Sequence, residues 1–247
     1  MRLWRSRRTP RIVFVHAGGV DGRMWHPLVD RLDGRRLHVP DLRGHGSTPL
    51  PAGEYAHAED LLRMLDDLGV RKATFVGASH GGWICQQLAT MAPKRVTALV
   101  LMASTYLDRD DAEWSPQIVA FRTKEDALLE AGDIDGAVAL ATKTWRPRPG
   151  VRDLVEEMAR DAFVLQQGVE AAERRLPVDL AAIEAPTLVV SGGKDPMPDF
   201  AQIADFLAGA IDGAERAEIK DAGHLIALER PDATAELLEP WLERVGS

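Results

Sequence analysis

The stretch "VGASHGGW" places one hydroxyl, Ser79, between a run of strand-forming residues and a run of helix-forming ones. Gly77 stands two places before it and Gly81 two places after. A tight strand-to-helix turn pushes the side chain at its apex out of the sheet. It also crowds the neighbouring backbone, so glycine is wanted where a Cβ would collide. The helix that follows aims its free N–H groups and positive dipole end at the same point, where negative charge would develop. A serine hydroxyl is a weak nucleophile near neutral pH and needs an adjacent base, itself oriented by an acid. Of the seven histidines, His224 in "IKDAGHLIALERPD" lies directly after the last strand-like run and before the last helix-like one. His16 also follows a strand-like run. His45 lies in a turn, while His26, His38 and His57 show no catalytic context. His80 begins the helix after the serine and should point away from the hydroxyl. Asp195 in "LVVSGGKDPMPD" follows the preceding strand and is the first choice of acid, with Asp108 and Asp110 as rivals. Asp199 reads as a turn or cap residue, and Asp221 is too close in sequence to His224 to orient it.

Attack on a carbonyl creates an oxyanion, which needs at least two preorganised donors. Losing one such donor typically costs about 10²–10³ in turnover. The backbone N–H of His80 is one candidate, and the loop "HAGGVDGRMW" supplies the other, with Gly18 as the choice because a backbone approaching substrate does best without a side chain.

Positioning these groups requires a sheet whose strands end at one rim. Strand-like runs occur at 11–17, 35–44, 72–78, 95–103, 186–193 and 214–223. Helix-like runs lie between them at 24–32, 54–69, 81–92 and 199–211, and another closes the chain. In the 54–69 run Ala58, Leu61, Leu62, Leu65 and Leu68 share one face, and Gly69 stops the helix. Strands alternating with helices predict an α/β fold with a mostly parallel sheet covered by helices on both faces. Residues 105–182 contain amphipathic pieces around 116–131, 135–144 and 151–175 but no strand-like run, and read as a helical insertion between two strands. Within that block Trp114, Phe121, Trp145, Met158 and Phe163 either pack the insertion's own core or wall a pocket. Met24 and Trp25, near the oxyanion loop, are the better lining candidates.

The 247 residues, 45% hydrophobic, suffice for one well-filled domain. A net charge of −8 argues against a nucleic-acid partner, since phosphate binding needs a basic face. The arginine-rich start, "RLWRSRRTPR", reads as a solvated lead-in. The single cysteine, Cys85, excludes an internal disulfide and reads as a small buried apolar residue. No apolar targeting core follows the arginines, and no run reaches the length of a membrane span. The expectation is a cytoplasmic protein with a small-molecule partner, no membrane or nucleic-acid partner, and an oligomeric state that the sequence leaves unknown. No histidine–carboxylate spacing indicates a metal ligand set, so no metal or cofactor is expected.

Together these residues resemble the α/β-hydrolase fold family. "FVHAGG" is similar to its oxyanion loop, "DLRGHGST" to the turn after the next strand and "VGASHGGW" to its nucleophile elbow. "SGGKDPMPD" resembles its acid loop and "DAGHLIALERP" its histidine loop. The resemblance implies a triad of Ser79, Asp195 and His224, and an oxyanion hole from Gly18 and His80. It also implies a core domain of residues 1–104 and 183–247 carrying a helical cap over the pocket, residues 105–182. Two departures stand out. His16-Ala17 replaces the family's His-Gly, which leaves open whether Ala17 or Gly18 donates to the oxyanion. The family's first antiparallel strands are reduced to "RLWRSR". Dehalogenases and epoxide hydrolases of this fold carry aspartate where this chain has Ser79. The resulting expectation is a serine hydrolase that cleaves a small, mainly apolar carboxylic ester or lactone through an acyl-serine intermediate, with Met24, Trp25, Trp114 and Trp145 lining its pocket. Carbon–carbon bond hydrolysis, cofactor-free oxidation on the same triad, and slow-turnover ligand sensing are the alternatives.

Overall fold

A computed structural model of the chain describes residues 11–32, 34–108 and 114–246. The segment read as reduced first strands and the rival acid Asp110 lie outside the described residues. Six strands form one sheet. They are β1 (Arg11–Val15), β2 (Arg36–His38), β4 (Ala73–Ala78), β5 (Val96–Met102), β7 (Thr187–Gly192) and β8 (Glu215–Ile219), in the order β2-β1-β4-β5-β7-β8. Every pairing in it is parallel. Parallel strands joined by crossovers all end at the same rim, which is how residues far apart in sequence come to share a site.

The strands read as unbroken apolar runs because both faces are covered. Successive side chains alternate, so β1 sends Ile12 and Phe14 to one core and Val13 and Val15 to the other. On the Val13 face lie α2 (His57–Asp67), α3 (His80–Met91) and α7 (Asp199–Ala210), through Leu65, Trp83, Ile84, Leu88, Phe200 and Leu207. On the Phe14 face lie α1 (His26–Val29) and α9 (Pro231–Arg244), through Leu28, Leu238 and Trp241. Each such side chain contributes about 1.5–3 kcal/mol on burial. The α3 helix is buried along nearly its whole length, and Cys85 is buried within it, which pushes its thiol pKa up.

Three sequence-based expectations are modified. The strand read over 35–44 pairs only at Arg36–His38, because Pro40 offers no N–H and the chain then turns. The helix read over 24–32 is a 3₁₀ turn, Gly22–Trp25, followed by the single turn of α1. The block 105–182, read as strandless, contains β6 (Ala171–Glu173), which pairs in parallel with β3 (Gly53–Tyr55) as a separate two-stranded sheet. Two alanines and a glutamate carry no strand pattern, and main-chain hydrogen bonds alone make the pairing. The rest of the block is α4 (Pro116–Glu130), α5 (Ile134–Trp145) and α6 (Pro149–Gln166), with α6 packed on α5 through Ala137, Val138, Ala159 and Phe163. Among the described residues no helix is long and apolar enough to cross a membrane.

Candidate active site

Ser79 stands between the last residue of β4 and the first of α3 with φ 49° and ψ −117°. This left-handed conformation is strained by about 1–3 kcal/mol for a non-glycine residue, so its surroundings must enforce it. They do so through the main chain. The Ser79 N–H donates to the Met102 carbonyl at 2.9 Å, and the Ser79 carbonyl accepts from Gly82 and Thr105 at 3.0 Å each. The glycines admit this bend. A Cβ on Gly77 would lie 2.5 Å from the Gly81 carbonyl oxygen, and one on Gly81 would lie 2.4 Å from those of both Val15 and His16.

His224 occupies the loop between β8 and the short helix α8 (Ile226–Glu229) and is 5% exposed. Its Nδ1 lies 2.7 Å from Oδ2 of Asp195, in the loop after β7. The other carboxylate oxygen of Asp195 accepts the Met197 N–H at 3.0 Å, which fixes the carboxylate. Trp145, the last residue of α5, stacks on the His224 ring, and Phe200 lies against the same ring. The Gly223 N–H donates to the buried carboxylate of Glu229 at 3.0 Å, tying the histidine loop to α8. Burial holds the Glu229 pKa above the ordinary carboxylate range. Ser79 and His224 line one cavity of about 440 Å³, within the range of small-molecule sites.

The rival groups are engaged elsewhere. Asp108 accepts the Val178 N–H, and Asp221 pairs with Lys194. Asp199 accepts the N–H and hydroxyl of Ser115, docking the start of α4. His16 donates from Nδ1 to the Ala17 carbonyl at 2.8 Å and accepts the Leu42 N–H on Nε2 at 2.9 Å. Complete burial, with His45 beside it, holds its pKa well below the imidazole range. It is therefore a neutral strut between the loop after β1 and the turn after β2.

The two candidates for the second oxyanion donor differ in occupancy. The Ala17 N–H donates to Sδ of Met24 at 3.4 Å. Gly18 lies on the cavity wall, and a Cβ built on it would sit 3.6 Å from Cβ of His80. The backbones of Gly18 and His80 are thus neighbours beside Ser79, and His80, as first residue of its helix, has an N–H without an intrahelical acceptor.

Of the four expected lining residues, the structure places Trp145 on the cavity wall. Met24 and Trp25 do not line it: both are fully buried in the Phe14-face core, with the rings of Phe14 and Trp25 5.1 Å apart. Their apolar character served the core, not the pocket. Trp114 is also buried away from the cavity, with the Arg122 guanidinium 4.3 Å above its ring. The wall carries two groups, of which the sequence pointed only to Trp145 and, as one of two readings, to Phe121. One is aromatic: Trp145, with Phe121 and Phe200 each in ring contact with it, and with Trp145 and Phe200 both against His224. The other is polar: Arg43, Tyr55, His57, His80 and Glu173. Ser79 joins them, since His80 is its chain neighbour and His224 belongs to the aromatic group. A wall expected to take a mainly apolar substrate thus also carries ionisable groups. Arg43 is held by Asp60, Glu173 pairs with His80 at 3.0 Å, and Glu125 also reaches the cavity. Burial, with Asp126 beside it, pushes the Glu125 carboxyl up to about 7. The histidine–carboxylate cluster that no sequence spacing indicated is assembled in space, from His57, His80 and Glu173.

A sequence model described as the Alpha/beta hydrolase family matches residues 12–237. The chain is 28% identical over 250 residues to 3-oxoadipate enol-lactonase 2 of Acinetobacter baylyi, covering 95% of this chain and 89% of that protein. It is 29% identical over 254 residues to the pimeloyl-[acyl-carrier protein] methyl ester esterase of Aeromonas hydrophila, covering 94% and 95%. The crystal structure of a hydrolase from Pseudomonas aeruginosa PA01 is similar with a TM-score of 0.76 at 27% identity, over 98% of this chain and 92% of that one.

Proposed function

The chain belongs to the alpha/beta hydrolase family, and from that premise we propose that it is a serine hydrolase that cleaves a small carboxylic ester or lactone through an acyl-serine intermediate. The observation that carries this reading is the 2.7 Å contact between His224 Nδ1 and Asp195, on a histidine that shares its cavity with Ser79. With Nδ1 donating to Asp195, the tautomer leaves Nε2 as the acceptor. In this reading His224 takes the Ser79 hydroxyl proton as Oγ attacks the substrate carbonyl. The Gly18 and His80 N–H groups receive the developing oxyanion. The proton then passes from His224 to the leaving alkoxide. Water, activated by the same imidazole, releases the acid and restores the serine. A lactone follows the same steps, with the leaving alkoxide kept on the acyl chain.

The named relatives include an enol-lactonase and a methyl ester esterase, which supports an ester or lactone carbonyl as the reacting group. Residues 105–182 act as a helical cap on a core of residues 1–104 and 183–247. The support for this division is that α4, α5 and α6 contribute Phe121, Trp145 and Phe163 to the cavity wall. The polar group on that wall argues for a substrate with a polar or charged substituent beside its apolar part, and so for less apolar selectivity than composition suggests.

The test is a fluorophosphonate label followed by a panel of chromogenic esters and lactones of graded acyl length. Labelling and turnover should both vanish in Ser79→Ala while the far-ultraviolet circular dichroism stays unchanged. Turnover that survives this substitution would remove Ser79 from the mechanism.

A further inference from the structure

We propose that His57, His80 and Glu173 form a binding site for a divalent transition-metal ion of the zinc class on the wall of the cavity. One ligand-type atom from each residue lies within 4.8 Å of the other two. The residues come from three separate elements. His57 opens α2, His80 opens α3 and Glu173 closes β6. Their meeting therefore owes nothing to local sequence. A tetrahedral zinc ion with bonds of about 2.0–2.2 Å needs ligand atoms roughly 3.4 Å apart. His80 Nε2 and Glu173 Oε2 are already 3.0 Å apart, and a ligand atom of His57 lies within 4.8 Å of both residues' ligand atoms.

A second observation points the same way. His57 is 3% exposed, and its Nδ1 has no hydrogen-bond partner among the described residues. Buried polar atoms are ordinarily satisfied, and an unpaired one calls for an explanation. The donor set selects the ion. Calcium and magnesium take oxygen ligands, whereas two imidazoles and one carboxylate suit zinc and its neighbours and leave a fourth position for water or a substrate oxygen. All three side chains face the cavity that holds Ser79. A bound ion would tie β6 to the starts of α2 and α3, beside the nucleophile.

Two features moderate the affinity. Both histidines stand at helix N-termini, whose positive dipole ends disfavour a cation. Arg43 lines the same part of the cavity, and its partner Asp60 is shared with Arg63. The expected site is therefore weaker than a closed structural zinc site. This inference is independent of the hydrolase reading, because none of its ligand atoms is assigned a role in acyl transfer.

The experiment uses the full chain, stripped with a chelator and titrated with Co²⁺ by absorption and with Zn²⁺ by calorimetry. Binding of one equivalent with the intense visible bands of a four-coordinate cobalt ion is expected. Glu173→Gln and His57→Ala should each weaken binding by about tenfold or more, as loss of a metal-site partner does. Should His57→Ala fail to fold, Glu173→Gln decides alone. Repeating the titration in Ser79→Ala should leave affinity unchanged, which keeps this test apart from that of the hydrolase reading. No binding to the wild type, or binding of wild-type affinity in a folded variant of either residue, overturns the site and leaves the His80–Glu173 contact as a simple ion pair.

Discussion

The indole of Trp145 stacks on the imidazole of His224, with ring centroids 4.3 Å apart and planes inclined by 25°. Trp145 closes α5, in the block between β5 and β7, whereas His224 follows β8 at the rim of the sheet. The proposed base is therefore held from two sides. Asp195 fixes its Nδ1 in the ring plane, and an aromatic from the inserted helices covers its face.

That stacking has a measurable consequence. Aromatic pairs contribute about 0.5–1.5 kcal/mol beyond their buried area, and an imidazolium formed during turnover gains further from the π face. Trp145→Ala should lower kcat/KM for a small ester by roughly tenfold, the equivalent of about 1.4 kcal/mol. Trp145→Phe should restore most of the loss. Steady-state kinetics on both variants, with fluorophosphonate labelling rates as a second readout, checks this. Equal rates for Ala and wild type would show that Asp195 and Phe200 orient the ring without Trp145.

Replacement of Asp195 by Asn tests the other support. The asparagine amide can donate where the carboxylate accepts, which favours the wrong imidazole tautomer. In Ser–His–Asp enzymes such a change lowers turnover by about 10⁴ while geometry persists. The same order of loss is expected here, with little change in thermal stability. Because Oδ1 also accepts the Met197 N–H, Asp195→Ala should be the less stable of the two.

Glu125 gives a pH prediction. Its carboxyl is pushed from an ordinary 4.5 up to about 7 by burial, with Asp126 adding to the rise. The folded state thus keeps a proton that the unfolded chain has released. When the native state binds more protons, unfolding free energy falls as pH rises. Glu125 therefore withholds no stability below about pH 4.5, and its penalty grows through pH 7. Glu125→Gln should leave Tm unchanged near pH 4 and raise it near pH 8. Partial solvent screening reduces the gain to something on the order of 2 kcal/mol. Differential scanning calorimetry at the two pH values decides the sign.

The contrast between what the sequence disclosed and what it hid has a physical basis. The candidates Ser79, Asp195 and His224 were legible because Ser79 directly follows β4 while Asp195 and His224 lie in the loops that leave β7 and β8, and parallel strands deliver their ends to one rim whatever lies between. Gly77 and Gly81 were legible because steric exclusion acts locally. Apart from Trp145, the cavity wall was not. Met24 and Trp25 are apolar residues next to the oxyanion loop, and nothing in their sequence context separates a lining residue from a core one. Glu173 sits on a three-residue strand formed by main-chain pairing to β3, so no side-chain pattern marked it. Its approach to His57 and His80 is a product of tertiary packing. Phe200 follows the acid loop, and that proximity to Asp195 was the one available hint of its place beside His224.

The elbow itself supplies the last prediction. At Gly81 a Cβ would lie 2.4 Å from the carbonyl oxygens of both Val15 and His16. Neither obstacle is a flexible side chain. Both belong to the backbone of β1 and the residue after it, and His16 is further pinned by its bonds to Ala17 and Leu42. Relief must come from moving α3 away from the sheet, which would shift Ser79 and the His80 N–H together. Overpacking of a tight interior typically costs about 1–3 kcal/mol, and about 2 kcal/mol is expected for Gly81→Ala. Because a displacement of about 1 Å at the reacting atoms can cost 10²-fold in rate, activity should fall further than stability does. Gly213→Ala is the control. That glycine has φ +67° but open space around its Cβ position, so its substitution should lower stability through backbone strain and leave kcat untouched. Urea denaturation and ester kinetics on the two variants separate the effects. A Gly81→Ala enzyme with wild-type kcat would mean that the close fit of α3 against β1 does not position the proposed nucleophile.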